Sequence, residues 1–149
     1  MNGLTRWVPR LIIVTAVLHF VWAFVQPNAW DAIARDGFAA TVVDPDAPGY
    51  WQREAGVWFL VSGASFLILG TLTRALVRAT GRMPAQVGWF LMATGVPLCV
   101  FYFPVTGGWA EVVIGALALA AAYGGRDGRG RRVPESPDAR TRPAEAAST

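Results

Sequence analysis

Four long apolar runs divide the chain, and they predict four helices that cross a membrane. The runs cover Val8 to Val25, Gly56 to Val77, Val87 to Phe103 and Trp109 to Tyr123. Each is close to the ~20 residues that a helix needs to cross a hydrocarbon core about 30 Å thick. The fourth run is the shortest, so we expect it to tilt little or to borrow residues from Val105 to Gly108. The predicted fold is an all-α membrane four-helix bundle formed by residues 1–123.

The charged residues agree with this prediction and orient the bundle. Only 15% of the chain is charged, whereas a soluble domain carries about a quarter. All 13 basic residues are arginines, and only Arg35 and Arg53 lie in the loop after the first run. The others collect at the opposite ends of the runs and after the fourth one. The positive-inside rule therefore places both termini in the cytoplasm, and it accounts for the net charge without nucleic acid as a partner.

Two segments outside the apolar runs have patterns of their own. In the outer loop, Asn28 to Ala40 reads as a short amphipathic helix with Asn28 as its cap. We expect this helix to lie on the outer membrane surface with Trp30 at the headgroup level. Residues 124–149 are rich in glycine, proline and arginine and poor in apolar residues. They predict a disordered, basic cytoplasmic tail.

Polar side chains inside the predicted membrane helices fall on two helical faces. The first helix has one such face, made of Thr15, His19, Trp22 and Gln26. The second has another, made of Glu54, Trp58, Ser62 and Ser65. With a rise of 1.5 Å per residue, His19 lies ~10 Å below Gln26, and Ser62 lies ~12 Å below Glu54. His19 and Ser62 should therefore share one layer near the centre of the bilayer.

This geometry predicts a polar pocket that opens outward, with His19 at its floor. Glu54 and Glu111 would lie near the outer end of the pocket, since Glu111 is close to the start of the fourth run. We expect the residues that contact a substrate to be Thr15, Trp22, Gln26, Trp58, Ser62 and Tyr102. One His, one Cys and carboxylates at different depths have no known metal-ligand spacing, and no cofactor motif is present, so neither a metal nor a cofactor is predicted.

Three functional hypotheses follow from these residues. In the first, the pocket binds a lipophilic small molecule and converts it by acid/base catalysis as an isomerase, cyclase or hydrolase, with His19, Glu54 and Glu111 as catalytic residues. In the second, His19 only forms a hydrogen bond between helices, the acids only cap helix N-termini, and the protein is a non-catalytic membrane helper or packing subunit. The third is a proton-coupled transporter, although no inverted repeat is visible.

A glycine face on the second helix predicts close helix packing. Gly56, Gly63 and Gly70 recur every seven residues. Small residues at this spacing let a neighbouring helix approach closely. The neighbour is predicted to be another helix of the bundle, and a second copy of the chain in a homo-oligomer is the alternative.

Several motifs resemble those of a known group of proteins. They are the Arg6-Trp7 pair, Arg10, His19, the stretch from Trp30 to Gly37, the sequence EAGVWFLVSG at Glu54 to Gly63, and the turn from Pro104 to Gly107. In these features, over about residues 6–123, the chain resembles a bacterial family of small four-helix membrane proteins of unknown function. It is also loosely similar to the DoxX-type membrane proteins. The resemblance implies a multi-pass protein of the bacterial cytoplasmic membrane and implies no activity.

Overall fold

All the regular secondary structure in the described residues is α-helical. In this computed structural model, those residues are 3–38, 44–104 and 106–124. The helices are α1 (Gly3–Val25), α2 (Trp30–Asp36), α3 (Tyr50–Thr80), α4 (Ala85–Tyr102) and α5 (Gly108–Tyr123). The all-α prediction is confirmed. Apart from Gly124, the predicted tail lies outside the described residues.

Helix length separates α5 from the other long helices. By length and composition, α1, α3 and α4 are long and apolar enough to cross a membrane, whereas α5 is apolar but shorter. The 16 residues of α5 span ~24 Å at 1.5 Å per residue, which is less than the ~30 Å of a hydrocarbon core. The structure therefore provides three helices of spanning length where the sequence predicted four.

The long helices are arranged as two antiparallel pairs joined through α1. One pair is α1 with α3, the other is α4 with α5, and α1 also packs against α5. Their main apolar core lies toward the end of the bundle that carries Arg6 and Arg78. It contains Val8, Ile12, Val77, Met83, Val87, Leu91, Ile114, Ala118 and Ala121. In contrast, α3 and α4 have no extended direct packing, so one side of the bundle is open.

Glycines allow the helices of each pair to approach closely. Between α4 and α5, a Cβ atom added at Gly95 would lie 2.8 Å from the Cβ of Glu111 and 2.9 Å from the carbonyl oxygen of Gly108. A Cβ atom added at Gly88 would lie 2.6 Å from the Cγ of Leu119. These distances are too short for a real contact, so only glycine fits at this spacing of the helix axes.

The predicted glycine face is occupied by α1 of the same chain. A Cβ atom added at Gly70 would lie 2.8 Å from Ile13, and one added at Gly63 would lie 3.0 Å from His19. Gly56 faces the ring of Trp30 at 3.7 Å. The packing role of this face agrees with the sequence prediction. Side chains of α1 lie against Gly63 and Gly70, and the alternative of a homo-oligomer stays a prediction.

The short helix α2 packs back onto the bundle, and its predicted position on the outer membrane surface stays a prediction. Pro27 has no N–H group, so the carbonyl of Ala23 lacks its usual helical partner. The indole N–H of Trp30 donates a hydrogen bond to this carbonyl at 3.0 Å. Ile33 is buried. The helix is also shorter than predicted and begins at Trp30, whose backbone N–H donates to the Asn28 side chain at 3.2 Å.

A partly buried ion pair links α2 to α3, and the sequence did not predict it. The Nη2 of Arg53 lies 2.8 Å from Oδ2 of Asp36, and the Arg53 side chain is only 6% exposed. A buried guanidinium is tolerated when a carboxylate neutralises it. This pair therefore ties the end of α2 to the beginning of α3.

Candidate functional site

The open side of the bundle forms a groove between α3 and α4, called the α3–α4 groove below. Its volume is about 250 Å³, and it is lined by Ser62, Ser65, Phe66, Leu69, Phe90, Leu91 and Thr94. Four of these side chains are apolar and three carry hydroxyl groups. The residues come from the middle of both helices, so the groove opens sideways at mid-bundle. The sequence had predicted a pocket that opens at the outer end.

His19 supports one polar corner of the groove. Its Nε2 lies 2.8 Å from the carbonyl oxygen of Phe59 and 3.0 Å from Oγ of Ser62. Its ring stacks on the Phe59 ring, with centroids 3.8 Å apart and an angle of 14° between the planes. Gly63 leaves the space that the imidazole occupies. The contact with Ser62 agrees with the depth predicted from the helical rise.

The hydrogen bonds at His19 select one tautomer. A carbonyl oxygen only accepts hydrogen bonds, so Nε2 must carry the hydrogen to bond to Phe59. The hydroxyl of Ser62 also donates to the Phe59 carbonyl, at 2.7 Å. His19 therefore holds α1 against α3 and positions Ser62 at the groove.

Glu111 supports the second polar corner. Its side chain extends from the first turn of α5, and the residue is buried. Oγ1 of Thr94 donates to Oε2 of Glu111 at 2.7 Å. Glu111 can reach Thr94 because Gly95 and Gly108 bring α4 and α5 close together. A buried ionisable residue thus stands behind a groove hydroxyl at this corner too.

The three hydroxyl groups of the groove all direct their hydrogens into the protein. Ser62 donates to the Phe59 carbonyl, and Ser65 donates to the Val61 carbonyl at 3.1 Å. Thr94 donates to Glu111 or, at 3.0 Å, to the Phe90 carbonyl. A hydroxyl has one hydrogen and two lone pairs. The groove therefore offers hydrogen-bond acceptors in apolar surroundings.

The other predicted site residues do not line this groove. Glu54 is half-buried, and it lies beyond the first turn of α3, which begins at Tyr50 instead of Gly56. It is therefore not the helix-terminal residue that the sequence predicted. Thr15 and Gln26 are half-buried on or just after α1. The structure brings His19 to Ser62 and Glu111 to Thr94, but it does not bring Glu54 to the groove.

The three aromatic residues that were predicted to contact a substrate are exposed. Trp22, Trp58 and Tyr102 are 54%, 65% and 58% exposed. They do not line the α3–α4 groove. Exposing these side chains to an apolar bilayer costs little free energy, because lipid tails are as apolar as a protein core.

Thr94 is a polar residue of the groove that the sequence pattern did not indicate. The available signal was its position as an isolated polar residue between Leu91 and Gly95 in an apolar helix. A threonine inside a helix usually bonds only to its own backbone, so the pattern did not mark it. Among residues 3–38, 44–104 and 106–124, no group of three or more His, Cys, Asp or Glu side chains could hold a metal ion.

Comparison with known proteins gives a family but no activity. Residues 3–125 match the Family of unknown function (DUF6463). No curated protein and no solved structure matches this chain. The match covers all the described helices, and the predicted membership of an uncharacterised family is confirmed. The chain therefore belongs to the DUF6463 family.

Proposed function

We propose that this chain is an integral membrane protein whose α3–α4 groove binds a small lipophilic molecule carrying a hydroxyl or N–H group. The observation that carries the proposal is the combination of apolar walls with three acceptor hydroxyls in one groove. Ligand sites are typically apolar with a few placed polar groups. At about 250 Å³, the groove is below the ~300–1,000 Å³ of most such sites, so its ligand is small.

The position of the groove supports a ligand that comes from the bilayer. It lies at the middle of α3 and α4, two helices of spanning length, and it opens sideways between them. A molecule dissolved in the hydrocarbon core reaches this opening without crossing water. Phe66 and Phe90 supply broad apolar surface on opposite walls.

The proposal also includes the membrane arrangement. It places the protein in the bacterial cytoplasmic membrane with four crossings and both termini in the cytoplasm. The arginine distribution supports this orientation. The packing of α5 along α4 supports the fourth crossing, because a short helix is accommodated by a small tilt or by local thinning of the bilayer.

Binding, and not acid/base conversion, is the function that the side-chain geometry favours. His19 reaches the groove only through Ser62, and Glu111 reaches it only through Thr94. Both ionisable residues thus act as positioning residues for a hydroxyl. They fix the directions in which the lone pairs of Ser62 and Thr94 point.

A matched pair of lipophilic probes tests the proposed ligand class. Menthol carries a hydroxyl donor, and menthone is the ketone of the same carbon skeleton. A ligand stabilises the protein that binds it, so the melting temperature of the purified protein should rise more with menthol than with menthone. One net hydrogen bond of ~1 kcal/mol corresponds to about fivefold tighter binding of the alcohol.

The control is the same substitution at a threonine outside the groove. Thr94→Val removes the acceptor and should reduce the preference for menthol. Thr71→Val removes a hydroxyl on α3 that bonds to the Leu67 carbonyl, and it should keep the preference. Equal effects of menthol and menthone on the unsubstituted protein would contradict the proposal, as would identical behaviour of the two variants.

A further inference from the structure

A second groove lies between the first turns of α1 and the last turns of α3, and four arginines line it. It has a volume of about 270 Å³ and is lined by Thr5, Arg6, Pro9, Arg10, Arg74, Val77 and Arg78. Arg6 and Arg10 are four residues apart on α1, and Arg74 and Arg78 are four residues apart on α3. This spacing places each pair on one helical face. The two faces meet at this groove, called the arginine groove below.

No carboxylate neutralises these four charges within the described part of the chain. Among residues 3–38, 44–104 and 106–124, the ion pairs are Arg35 with Asp31 and Arg53 with Asp36. Like charges four residues apart on a helix destabilise it. An anion in the groove would relieve this repulsion.

The membrane orientation explains only part of this arrangement. The positive-inside rule requires arginines near the ends of membrane helices, but it does not require them to converge. Arg82 lies at the same end of the bundle and does not line the groove. The convergence of two arginine pairs from different helices therefore needs a separate explanation.

The groove has the chemistry of a phosphate site at a membrane surface. Guanidinium groups bind phosphate oxygens in a two-pronged geometry. Val77 and Pro9 supply an apolar part of the wall. The guanidinium of Arg10 lies over the ring of Trp7 at 5.3 Å from its centroid, and Trp7 is exposed. Exposed tryptophans are typical of the headgroup layer.

From these observations we infer that the arginine groove binds a phosphate group with a net negative charge. Basic pockets between membrane helices hold the headgroups of anionic lipids. The phosphate can belong to an anionic phospholipid of the bilayer or come from solution. This site is separate from the α3–α4 groove, and it does not depend on what that groove binds.

The experiment compares two double variants that lose the same charge. Arg10→Gln with Arg74→Gln removes one arginine from each wall of the groove. Arg35→Gln with Arg82→Gln removes two exposed arginines outside it and is the control. The full chain is purified in detergent, and native mass spectrometry measures the binding of phosphatidylglycerol, of phosphatidylcholine and of inorganic phosphate. All four substituted arginines are exposed, so both variants should fold, and circular dichroism checks this.

We expect the groove variant to bind phosphatidylglycerol about thirtyfold more weakly than the control, since each guanidinium lost from the groove contributes about fivefold to binding of the anionic headgroup. Phosphatidylcholine should bind weakly to all three proteins. A loss seen only with inorganic phosphate would support the phosphate site and identify a soluble source. Equal losses in the two double variants, or no preference for either anion in the unsubstituted protein, would overturn the inference. Arg6→Gln with Arg78→Gln should repeat the result of the groove variant.

Discussion

The substitution Ser65→Phe is expected to prevent the α3–α4 groove from retaining the small lipophilic molecule that we propose it binds. Ser65 lines the α3–α4 groove and is exposed, so a phenyl ring at this position occupies the groove without entering the packed core. Because the groove holds only about 250 Å³, little space would remain for a ligand. We expect at least a tenfold decrease in retained molecule, ~1.4 kcal/mol or more of lost binding free energy. The protein is extracted in mild detergent and analysed by native mass spectrometry, followed by organic extraction.

The matched control is Ala64→Phe. Ala64 is also exposed on α3, but one residue corresponds to a rotation of about 100° around a helix, and Ala64 does not line the groove. This variant should retain the molecule at the level of the unsubstituted protein. The proposal fails if both phenylalanine variants retain it equally, or if the unsubstituted protein retains none.

The substitution Gly95→Ala is expected to destabilise the α4–α5 pair by about 2 kcal/mol. The new Cβ atom would lie 2.8 Å from Glu111 Cβ, 2.9 Å from the Gly108 carbonyl oxygen and 3.0 Å from the Val112 nitrogen. Two of these are backbone atoms, so the helices must move apart. Overpacking costs about 1–3 kcal/mol, and more at tight backbone contacts, while the better helix propensity of alanine offsets up to ~1 kcal/mol. Denaturant unfolding in detergent measures the change in the free energy of unfolding.

The control for this prediction is a glycine that has free space. At Gly107 an added Cβ atom meets nothing within 4 Å, and its φ of −70° suits any residue. Gly107→Ala should therefore change the free energy of unfolding by less than about 0.5 kcal/mol. An equally small change in the free energy of unfolding for Gly95→Ala would contradict the close packing of α4 against α5. It would also contradict the hydrogen bond between Thr94 and Glu111, which depends on that packing.

The sequence predicted the helices and one contact well, because both depend on regular properties of a helix. Long apolar runs locate helices whether lipid or protein surrounds them. The rise per residue fixes depth, so the common layer of His19 and Ser62 followed from counting. The contact between His19 Nε2 and Ser62 Oγ at 3.0 Å agrees with that count.

Rotation about the helix axis was the property that the sequence did not determine. Trp22 is three residues after His19, which corresponds to about 60° of rotation away from it. That angle is enough to move a side chain from the α1–α3 contact to the outer surface. In a soluble protein, polarity would distinguish the two sides of the helix, but bilayer-facing and buried residues are both apolar. Trp22 was therefore assigned to a pocket, and it is 54% exposed.

The sequence pattern also did not predict contacts between segments that are distant along the chain. Thr94 meets Glu111 because of the spacing between α4 and α5, which depends on glycines on both helices. Arg53 meets Asp36 because α2 folds back onto the bundle. These contacts follow from tertiary packing, and a periodic pattern within one helix carries no information about them.

The most direct test of the proposed function is a crystal structure of the unsubstituted protein, grown from a lipidic mesophase without added ligand. We expect electron density for a compact molecule between Phe66 and Phe90, with a polar atom within hydrogen-bond distance of a hydroxyl oxygen of Ser62 or Thr94. Direct packing of α3 against α4 with no space between them would contradict it. A lipid tail that passes through the groove without any polar contact would contradict it equally.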